Sequence, residues 1–432
     1  MKTPPLLPRS DGQRMLGIIA SCAAAFTVFG LLQDAPGEIL TGWARILTTR
    51  DALITDYFGI GGMGAAFVNS GLLTAIACGI YRLTRAPVSG ASVASLFIVM
   101  GFGLFGKNVF NVWPLIMGVW LYGKVRQQPF SSHVDIAFFG CALSPIFSEV
   151  LFSTSLPIRI SAPLALITSL LLGFILSPVA GQLFKAHSGF SLYNVGFTAG
   201  VLGTLIVALF KSYGFVPDPV MIWTSQSRGL LCGFVVALLL ALTIAALMLD
   251  RQALSKFRSL IRLSGQAPTD VLARFGPGAT LLNMGLCGLL GLAVVMLTGA
   301  DLNGPTIAGI LTIAGFGAFG KHPFNVAPIM AGVLLGSIAK PWAIQEPETI
   351  LATLFGTTLA PIAGQFGWLW GLVAGFLHSS ASRSVGFNHA GLNLYNNGFA
   401  AGLVAAVLVP VIVASRMAPT APGDPPRSGE DP

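Results

Sequence analysis

The chain has 432 residues, of which 54% are hydrophobic and 9% are charged, and its net charge is +8. A soluble globular domain carries about 25% charged residues, so this composition excludes a soluble protein of this size. Lysines and arginines in the cytoplasmic loops of a membrane protein account for the positive charge. Because no basic stripe carries interleaved aromatic residues, we expect no nucleic-acid partner.

The first predicted element is a membrane span over residues 15–33. A basic flank with Lys2 and Arg9 precedes it. No small-residue cleavage site follows the apolar run, which favours a retained span over a signal peptide. Residues 1–13 are therefore predicted to form a cytoplasmic tail.

Long uncharged runs follow along the chain. Residues 160–184, 229–249 and 275–300 contain no charged side chain. A bilayer core about 30 Å thick needs roughly 20 helical residues to cross, and each run meets that length. Residues 349–382 are also uncharged but are short for two full spans. We predict an all-α polytopic membrane protein with about ten transmembrane helices, whose first partner is the lipid bilayer.

The chain contains an internal repeat. Residues 101–119 read GFGLFGKNVFNVWPLIMGV and residues 315–333 read GFGAFGKHPFNVAPIMAGV, with 12 of 19 positions identical. Residues 187–200 and 389–402 match at nine of 14 positions. The order of the matches is kept, which indicates two copies of one module.

The predicted organisation follows from the repeat and from the distribution of basic residues. An odd number of crossings, five, precedes the second copy, so we predict two inverted repeats with both termini cytoplasmic. The predicted segments are a cytoplasmic tail, a first repeat, an external linker, a second and inverted repeat, and a disordered cytoplasmic tail, over residues 1–13, 14–214, 215–227, 228–416 and 417–432.

The repeated glycine motif predicts two re-entrant broken hairpins. Gly101, Gly103 and Gly106 weaken a helix, and each arm of about 15 residues reaches only about 22 Å. The tips, at Lys107 and Lys321, would then lie deep in the bilayer. A lysine there needs a partner, which could be an internal acid such as Glu149 or an anionic substrate. In the alternative interpretation each arm is a full, tilted span and each lysine snorkels to an interface.

The candidate binding residues are polar side chains at the two tips and in the second repeated motif. They are Lys107, Asn108, Asn111, Lys321, His322, Asn325, Asn194 and Asn396. Glu149, His187 and His389 are candidates for ion coupling. For Asn69 and Asn283 a backbone partner is favoured. For Asn111 and Asn325 a position facing the solute is favoured, because they flank the tips.

The second motif repeats His187, Tyr193 and Asn194 as His389, Tyr395 and Asn396. Glycines four residues apart follow each copy, at 196 and 200 and at 398 and 402. Such spacing allows close helix packing in membranes. The five cysteines lie in apolar runs without a CxxC pair, so no metal site and no cofactor are predicted.

Residues 54–73, ITDYFGIGGMGAAFVNSGLL, and residues 101–111, GFGLFGKNVFN, resemble an uncharacterised bacterial multi-pass membrane family, domain of unknown function 1576. The resemblance covers most of the chain. It implies a multi-pass protein of a bacterial membrane. It implies no substrate and no functional residue.

The predicted function is a transporter or channel of the bacterial inner membrane for a small polar or anionic solute, with a site at the interface of the two inverted repeats. The alternatives are a non-transporting scaffold or sensor and an intramembrane enzyme. The sequence has no HExxH, no GxSxG and no close aspartate pair within a span, so it is not predicted to be an enzyme. Channel or carrier, the coupling ion and a homo-oligomeric state stay open.

Overall fold

The computed structural model describes residues 9–416 except 154, 219 and 226. Residues 1–8 of the predicted cytoplasmic tail and the predicted disordered tail 417–432 lie outside this part. The described residues form helices joined by short loops, with two isolated β-bridges and no strand. The predicted all-α class is confirmed.

The first ten helices cover the predicted first repeat, and α1 begins five residues ahead of its predicted start at residue 14. They are α1 (Arg9–Leu31), α2 (Pro36–Thr48), α3 (Tyr57–Gly61), α4 (Met63–Thr84), α5 (Gly90–Phe102), α6 (Trp113–Val125), α7 (Val134–Gly140), α8 (Ser144–Leu151), α9 (Ile158–His187) and α10 (Asn194–Ser212). Nine more helices cover the second. They are α11 (Arg228–Leu249), α12 (Ala253–Leu260), α13 (Val271–Thr298), α14 (Gly304–Phe316), α15 (Pro323–Ile338), α16 (Pro347–Phe355), α17 (Ala360–Phe366), α18 (Trp368–Val385) and α19 (Asn396–Arg416).

Nine helical segments of the described residues are long and apolar enough to cross a membrane, against the predicted count of about ten. They are α1, α4, α7 with α8, α9, α10, α11, α13, α16 with α17, and α19. The difference lies at α18, which begins within the stretch 349–382, ends beyond it and carries polar side chains such as His378 and Arg383. These side chains lower its hydropathy below that of a span facing lipid.

Two of the spans are broken in the middle by a turn of 3₁₀-helix. The break lies at Cys141–Leu143 between α7 and α8 and at Gly356–Leu359 between α16 and α17. Pro145 and Pro361 stand in the first turn of the helix that follows. Proline has no N–H to donate, so it interrupts a helix and begins a new one.

The two helices that precede the tips pack directly against each other, through small residues. A Cβ on Gly101 of α5 would lie 2.8 Å from the Ala308 Cα of α14, and a Cβ on Gly315 of α14 would lie 3.4 Å from the Ala94 Cα of α5. Ala308 and Gly315 stand 214 residues after Ala94 and Gly101. The contact is therefore made twice, with the roles of the two halves exchanged.

Helices α10 and α19 cross in the same reciprocal way. A Cβ on Gly196 would lie 3.1 Å from the Gly398 Cα, and one on Gly200 would lie 2.1 Å from the Phe399 ring. One on Gly402 would lie 2.3 Å from the ring of Phe197, the equivalent of Phe399. The close packing predicted from the glycine spacing is confirmed.

Candidate functional site

Each glycine motif forms a tip of irregular backbone between two short helices. The first tip, residues 103–112, separates α5 from α6, and the second, residues 317–322, separates α14 from α15. Gly106 and Gly320 adopt φ of +74° and +131°, which side chains other than glycine rarely adopt. The chain therefore turns at the glycine directly before each lysine.

An asparagine from the preceding long helix fastens each tip. The Asn69 amide of α4 donates to the carbonyls of Gly103 at 2.7 Å and Lys107 at 2.9 Å. The Asn283 amide of α13 donates to the equivalent carbonyls at 2.8 and 2.7 Å. The predicted backbone partners of these two asparagines are confirmed.

Asn111 and Asn325 also form hydrogen bonds with the backbone of their own tips. The sequence instead favoured a position facing the solute for both. The Asn111 oxygen accepts from the Asn108 N–H at 3.0 Å, and its amide donates to the Gly106 carbonyl at 3.1 Å. Asn325 repeats both bonds with His322 and Gly320 at 2.8 and 3.0 Å. A broken helix leaves buried N–H and C=O groups unpaired, and the nearest amides satisfy them.

Asn108 and His322 connect the tips to the segments that precede α3 and α13. The Asn108 amide donates to the Ile46 carbonyl at 3.3 Å, and a ring nitrogen of His322 lies 3.0 Å from the Leu263 carbonyl oxygen. These predicted binding residues thus hold the first tip against α2 and the second tip against the loop before α13. Both are buried.

Lys107 and Lys321 are fully buried, with 0% of each side chain exposed. Lys321 Nζ donates to Tyr193 Oη at 2.5 Å and to Thr357 Oγ1 at 2.7 Å. Lys107 Nζ donates to Tyr395 Oη. Each ammonium also lies over the ring of its tyrosine, 4.5 and 4.6 Å from the centroid. A snorkelling lysine would expose its amine, so that alternative does not describe either residue.

Each lysine meets a tyrosine from the other half of the chain. Tyr193 belongs to the first half and contacts Lys321, whereas Tyr395 belongs to the second and contacts Lys107. The second repeated motif was identified from the sequence, but its tyrosines were not included among the candidate site residues. The signal that could have identified them is their recurrence at equivalent positions.

Neither buried lysine has a carboxylate oxygen within 4.0 Å among the described residues. Glu149, the acid considered for Lys107, lies 3.6 Å from the Arg50 guanidinium and accepts from the Asp218 N–H at 3.3 Å. Glu149 therefore belongs to a separate ion pair. No three His, Cys, Asp or Glu side chains of the described ranges converge as metal ligands.

A cavity of about 200 Å³ lies between the two halves beside the second tip. Tyr193 and Tyr395 both line it, together with Asn194, and most of the remaining wall is apolar. Of the eight predicted binding residues, only Asn194 is in this lining among the described residues. The cavity thus contacts the tyrosines that hold the lysines.

The two predicted ion-coupling histidines organise the start of α10 and α19. A ring nitrogen of His187 lies 3.0 Å from the Asn194 oxygen, and His389 and Asn396 repeat the contact at 3.0 Å. Each asparagine amide donates back to the previous long helix, to Ala180 at 3.0 Å and to Ser382 at 2.7 Å. These pairs fix the chain just before each helix begins.

The helices and the broken segments define the class of the protein. It is an all-helical, membrane-spanning protein whose helix breaks meet in a buried polar interior. Lipid-exposed broken backbone does not occur at membrane depth, so such breaks are buried in protein or line a cavity.

The chain belongs to a family described as "Protein of unknown function (DUF1576)", whose sequence model matches residues 35–212 and 249–414. The resemblance drawn from residues 54–73 and 101–111 is thereby confirmed. Comparisons with the curated proteins and with the solved structures gave no match.

Proposed function

We propose that the protein is a transporter or channel of the bacterial inner membrane for a small polar or anionic solute, with its site between two halves of opposite orientation. One observation carries the proposal. Each half supplies a buried lysine that binds a tyrosine of the other half, Lys107 to Tyr395 and Lys321 to Tyr193. No carboxylate of the described residues compensates either charge.

The two buried lysines carry an energetic cost. A lysine at the bilayer centre costs about 2.5–3.5 kcal/mol on insertion scales, and charged groups inside membrane proteins mark substrate or ion pathways. Neutral hydroxyl partners solvate an ammonium but leave its charge uncompensated. A solute with an anionic or strongly accepting group supplies the missing counter-charge. A purely structural scaffold has no need for two such lysines.

Two features support an inverted relation between the halves. A Cβ on Gly90, the first residue of α5, would lie 2.1 Å from the Ala318 carbonyl oxygen just beyond the end of α14. A Cβ on Gly304, the first residue of α14, would lie 2.8 Å from the Leu104 carbonyl oxygen just beyond the end of α5. Equivalent helices are therefore antiparallel, and the two-fold axis relating them is perpendicular to both. For helices that cross a bilayer, such an axis lies in the membrane plane.

The lengths of the helices around each tip support re-entrant hairpins. α5, α6 and α14 have 13 residues each, and α15 has 16. At 1.5 Å per residue, these helices reach about 20 to 24 Å, short of a core about 30 Å thick. In this proposal the tips end inside the bilayer and approach the site from opposite faces.

The proposal is tested by a thermal-shift screen of the purified protein against small anions, amino acids and neutral solutes, followed by uptake of each stabilising solute into proteoliposomes. Lys107→Ala and Lys321→Ala should each abolish the stabilisation while the protein stays folded and inserted. Lys→Arg should fail less completely, because the charge remains but its shape changes. Lys211→Ala, at an exposed position, is the matched control.

The scaffold alternative predicts a different result. No solute of the screen is then taken up into proteoliposomes, and both alanine variants change only the stability of the unliganded protein. That combination would overturn the proposed function.

A further inference from the structure

The hydroxyls of Tyr193 and Tyr395 have hydrogen-bonding capacity that their contacts within the protein leave free. A tyrosine hydroxyl has one hydrogen to donate and can also accept. Each hydroxyl accepts a hydrogen bond from its lysine, and Thr357 is a further side-chain neighbour of the Tyr193 hydroxyl. Among the described residues, neither hydroxyl donates a hydrogen bond of good geometry. Both hydroxyls act there as acceptors, so the hydrogen of each is left to donate.

The two tyrosines are neighbours across the crossing of α10 and α19. A Cβ on Gly196 would lie 2.9 Å from the Tyr395 Cβ, and a Cβ on Gly398 would lie 3.0 Å from the Tyr193 Cβ. Both tyrosines line the same cavity. The fold therefore places two buried tyrosines, one from each half, in the wall of one cavity.

We infer that this cavity binds the carboxylate group of a small monocarboxylate, with one oxygen accepting from the Tyr193 hydroxyl and the other from the Tyr395 hydroxyl. The inference rests on the proposed transport function, because it names the solute class for the same site. A carboxylate offers two acceptor oxygens, which matches two donors. Hydrogen bonds to a charged acceptor are shorter and stronger than those between neutral groups.

The lysines strengthen this pair of donors. When Lys321 Nζ donates to Tyr193 Oη, it polarises the phenol O–H bond and makes its hydrogen a better donor. Lys107 acts on Tyr395 in the same way. The positive charges then lie one hydroxyl away from the bound anion, which accounts for lysines that contact tyrosine and no acid.

The rest of the cavity selects the body of the ligand. Ile98, Phe139, Phe184, Phe316 and Phe319 contribute apolar wall. Inorganic phosphate or a second carboxylate would leave acceptor oxygens unpaired against this wall, at a high desolvation cost. The volume of about 200 Å³ is below the ~300–1,000 Å³ of sites for drug-sized ligands. A short hydrocarbon or a single aromatic ring fits these limits.

The other polar groups of the lining are already engaged. The Asn194 amide donates to Ala180 and its oxygen lies 3.0 Å from a His187 ring nitrogen. Ser191 Oγ lies 3.4 Å from Thr358 Oγ1. Among the polar side chains of this lining, the tyrosine hydroxyls are therefore the donors that can bind a ligand while the hydrogen bonds within the protein stay intact.

The experiment compares acids with their isosteric amides on the full chain, purified in detergent. The probes are benzoate with benzamide, isobutyrate with isobutyramide, succinate, and inorganic phosphate, and calorimetric titration gives the affinity of each. Benzoate and isobutyrate should bind at least about tenfold more tightly than their amides, succinate and phosphate. Tyr193→Phe and Tyr395→Phe should each weaken benzoate binding by about 10- to 100-fold, since one hydrogen bond to a charged group is lost.

Tyr213→Phe is the matched control, because Tyr213 is 85% exposed and undergoes the same chemical change. It should leave benzoate affinity unchanged. If either tyrosine variant does not fold, the comparison of acids with amides on the unmodified protein still decides the ligand class. Equal affinity for an acid and its amide, or strongest binding of phosphate, would overturn the inference.

Uptake into proteoliposomes separates this inference from the proposed function. If benzoate binds in a tyrosine-dependent way but is neither taken up nor exchanged, the carboxylate site stands and transport fails. If a neutral solute is taken up and Tyr193→Phe leaves its uptake unchanged, transport stands and the carboxylate site fails.

Discussion

At the scale of single residues, Asp51 shows what sequence reasoning missed. Its carboxylate is fully buried and accepts from Tyr57 Oη at 2.8 Å, Ser148 Oγ at 2.7 Å and the Asn111 amide at 2.9 Å. The equivalent position of the second half is Gly265, whose backbone packs against Gly320. The acid therefore ties the loop before α3 to the first tip and has no counterpart at the second.

Asp51→Asn should lower the stability of the folded protein by about 1–3 kcal/mol. Asparagine keeps one acceptor oxygen of the two, and its amide hydrogens would face the donors Ser148 and Asn111. The midpoint of thermal unfolding in detergent measures the loss. Asp218→Asn, at an exposed position, is the control. Equal midpoints for the two variants would mean that the Asp51 hydrogen bonds do not stabilise the first tip.

At the scale of helices, the contact between α5 and α14 depends on the absence of side chains. A Cβ added to Gly101 would lie 2.8 Å from the Ala308 Cα, and a Cβ added to Gly315 would lie 2.5 Å from the Phe97 Cβ. No side chain fits at these distances unless a helix moves. Because α5 and α14 also carry the tips, a shift of either helix displaces a lysine.

Gly101→Ala and Gly315→Ala should each destabilise the protein by about 1–3 kcal/mol, through overpacking at the helix contact. They should also weaken solute binding, since the tips move with the helices. Gly79→Ala is the matched control, because nothing lies within 4 Å of its hypothetical Cβ. In α4 that change should be neutral or stabilise by up to about 1 kcal/mol. Thermal unfolding and solute titration of all three variants test the contact, and a Gly101→Ala protein that matches Gly79→Ala would refute it.

At the scale of the whole molecule, hydrogen bonds join several loops into two sets. In the proposed topology each set lies on one side of the membrane. In one set, Trp223 Nε1 donates to Asp301 at 2.8 Å, and the Gln345 amide donates to the Thr298 carbonyl at 2.9 Å. In the other, the Gln266 amide donates to the Ser188 carbonyl at 2.7 Å. The first set contains the predicted external linker, and the second contains the basic loop 250–274, predicted to be cytoplasmic.

Membrane-impermeant thiol reagents test this topology in intact cells, with the five native cysteines replaced. Ser259→Cys lies at an exposed position of the basic loop and should stay unlabelled until the membrane is permeabilised. Ser155→Cys lies at an exposed position between α8 and α9 and should be labelled at once. Labelling of both residues in intact cells would mean that an even number of crossings separates them, which would overturn the inverted relation of the repeats. Labelling of residue 259 with residue 155 protected would instead overturn only the predicted cytoplasmic position of the basic loop.

Much of the fold could be predicted from composition and repetition. Uncharged runs of about 20 residues, in a chain with few charges, indicate helices that cross a membrane. Glycines in the repeated motif predicted where α5 and α14 end, because glycine weakens a helix wherever it occurs. The polar α18 was harder to place, since its His378 and Arg383 face protein instead of lipid, and hydropathy does not distinguish these surroundings.

The sequence by itself determined the membrane class and the two copies of one module, because each follows from local composition or from self-similarity. It left open whether the repeated lysines are buried or reach an interface, and the tertiary structure shows both buried. Only the tertiary structure decided which groups meet. Lys107 contacts Tyr395 across 288 residues and Lys321 contacts Tyr193 across 128. Self-similarity equates Lys107 with Lys321 and Tyr193 with Tyr395 but does not say whether a lysine binds within its own copy or across to the other. That choice depends on how two helix pairs, α5 with α14 and α10 with α19, pack through their glycines, and such packing is a property of surfaces brought together by folding.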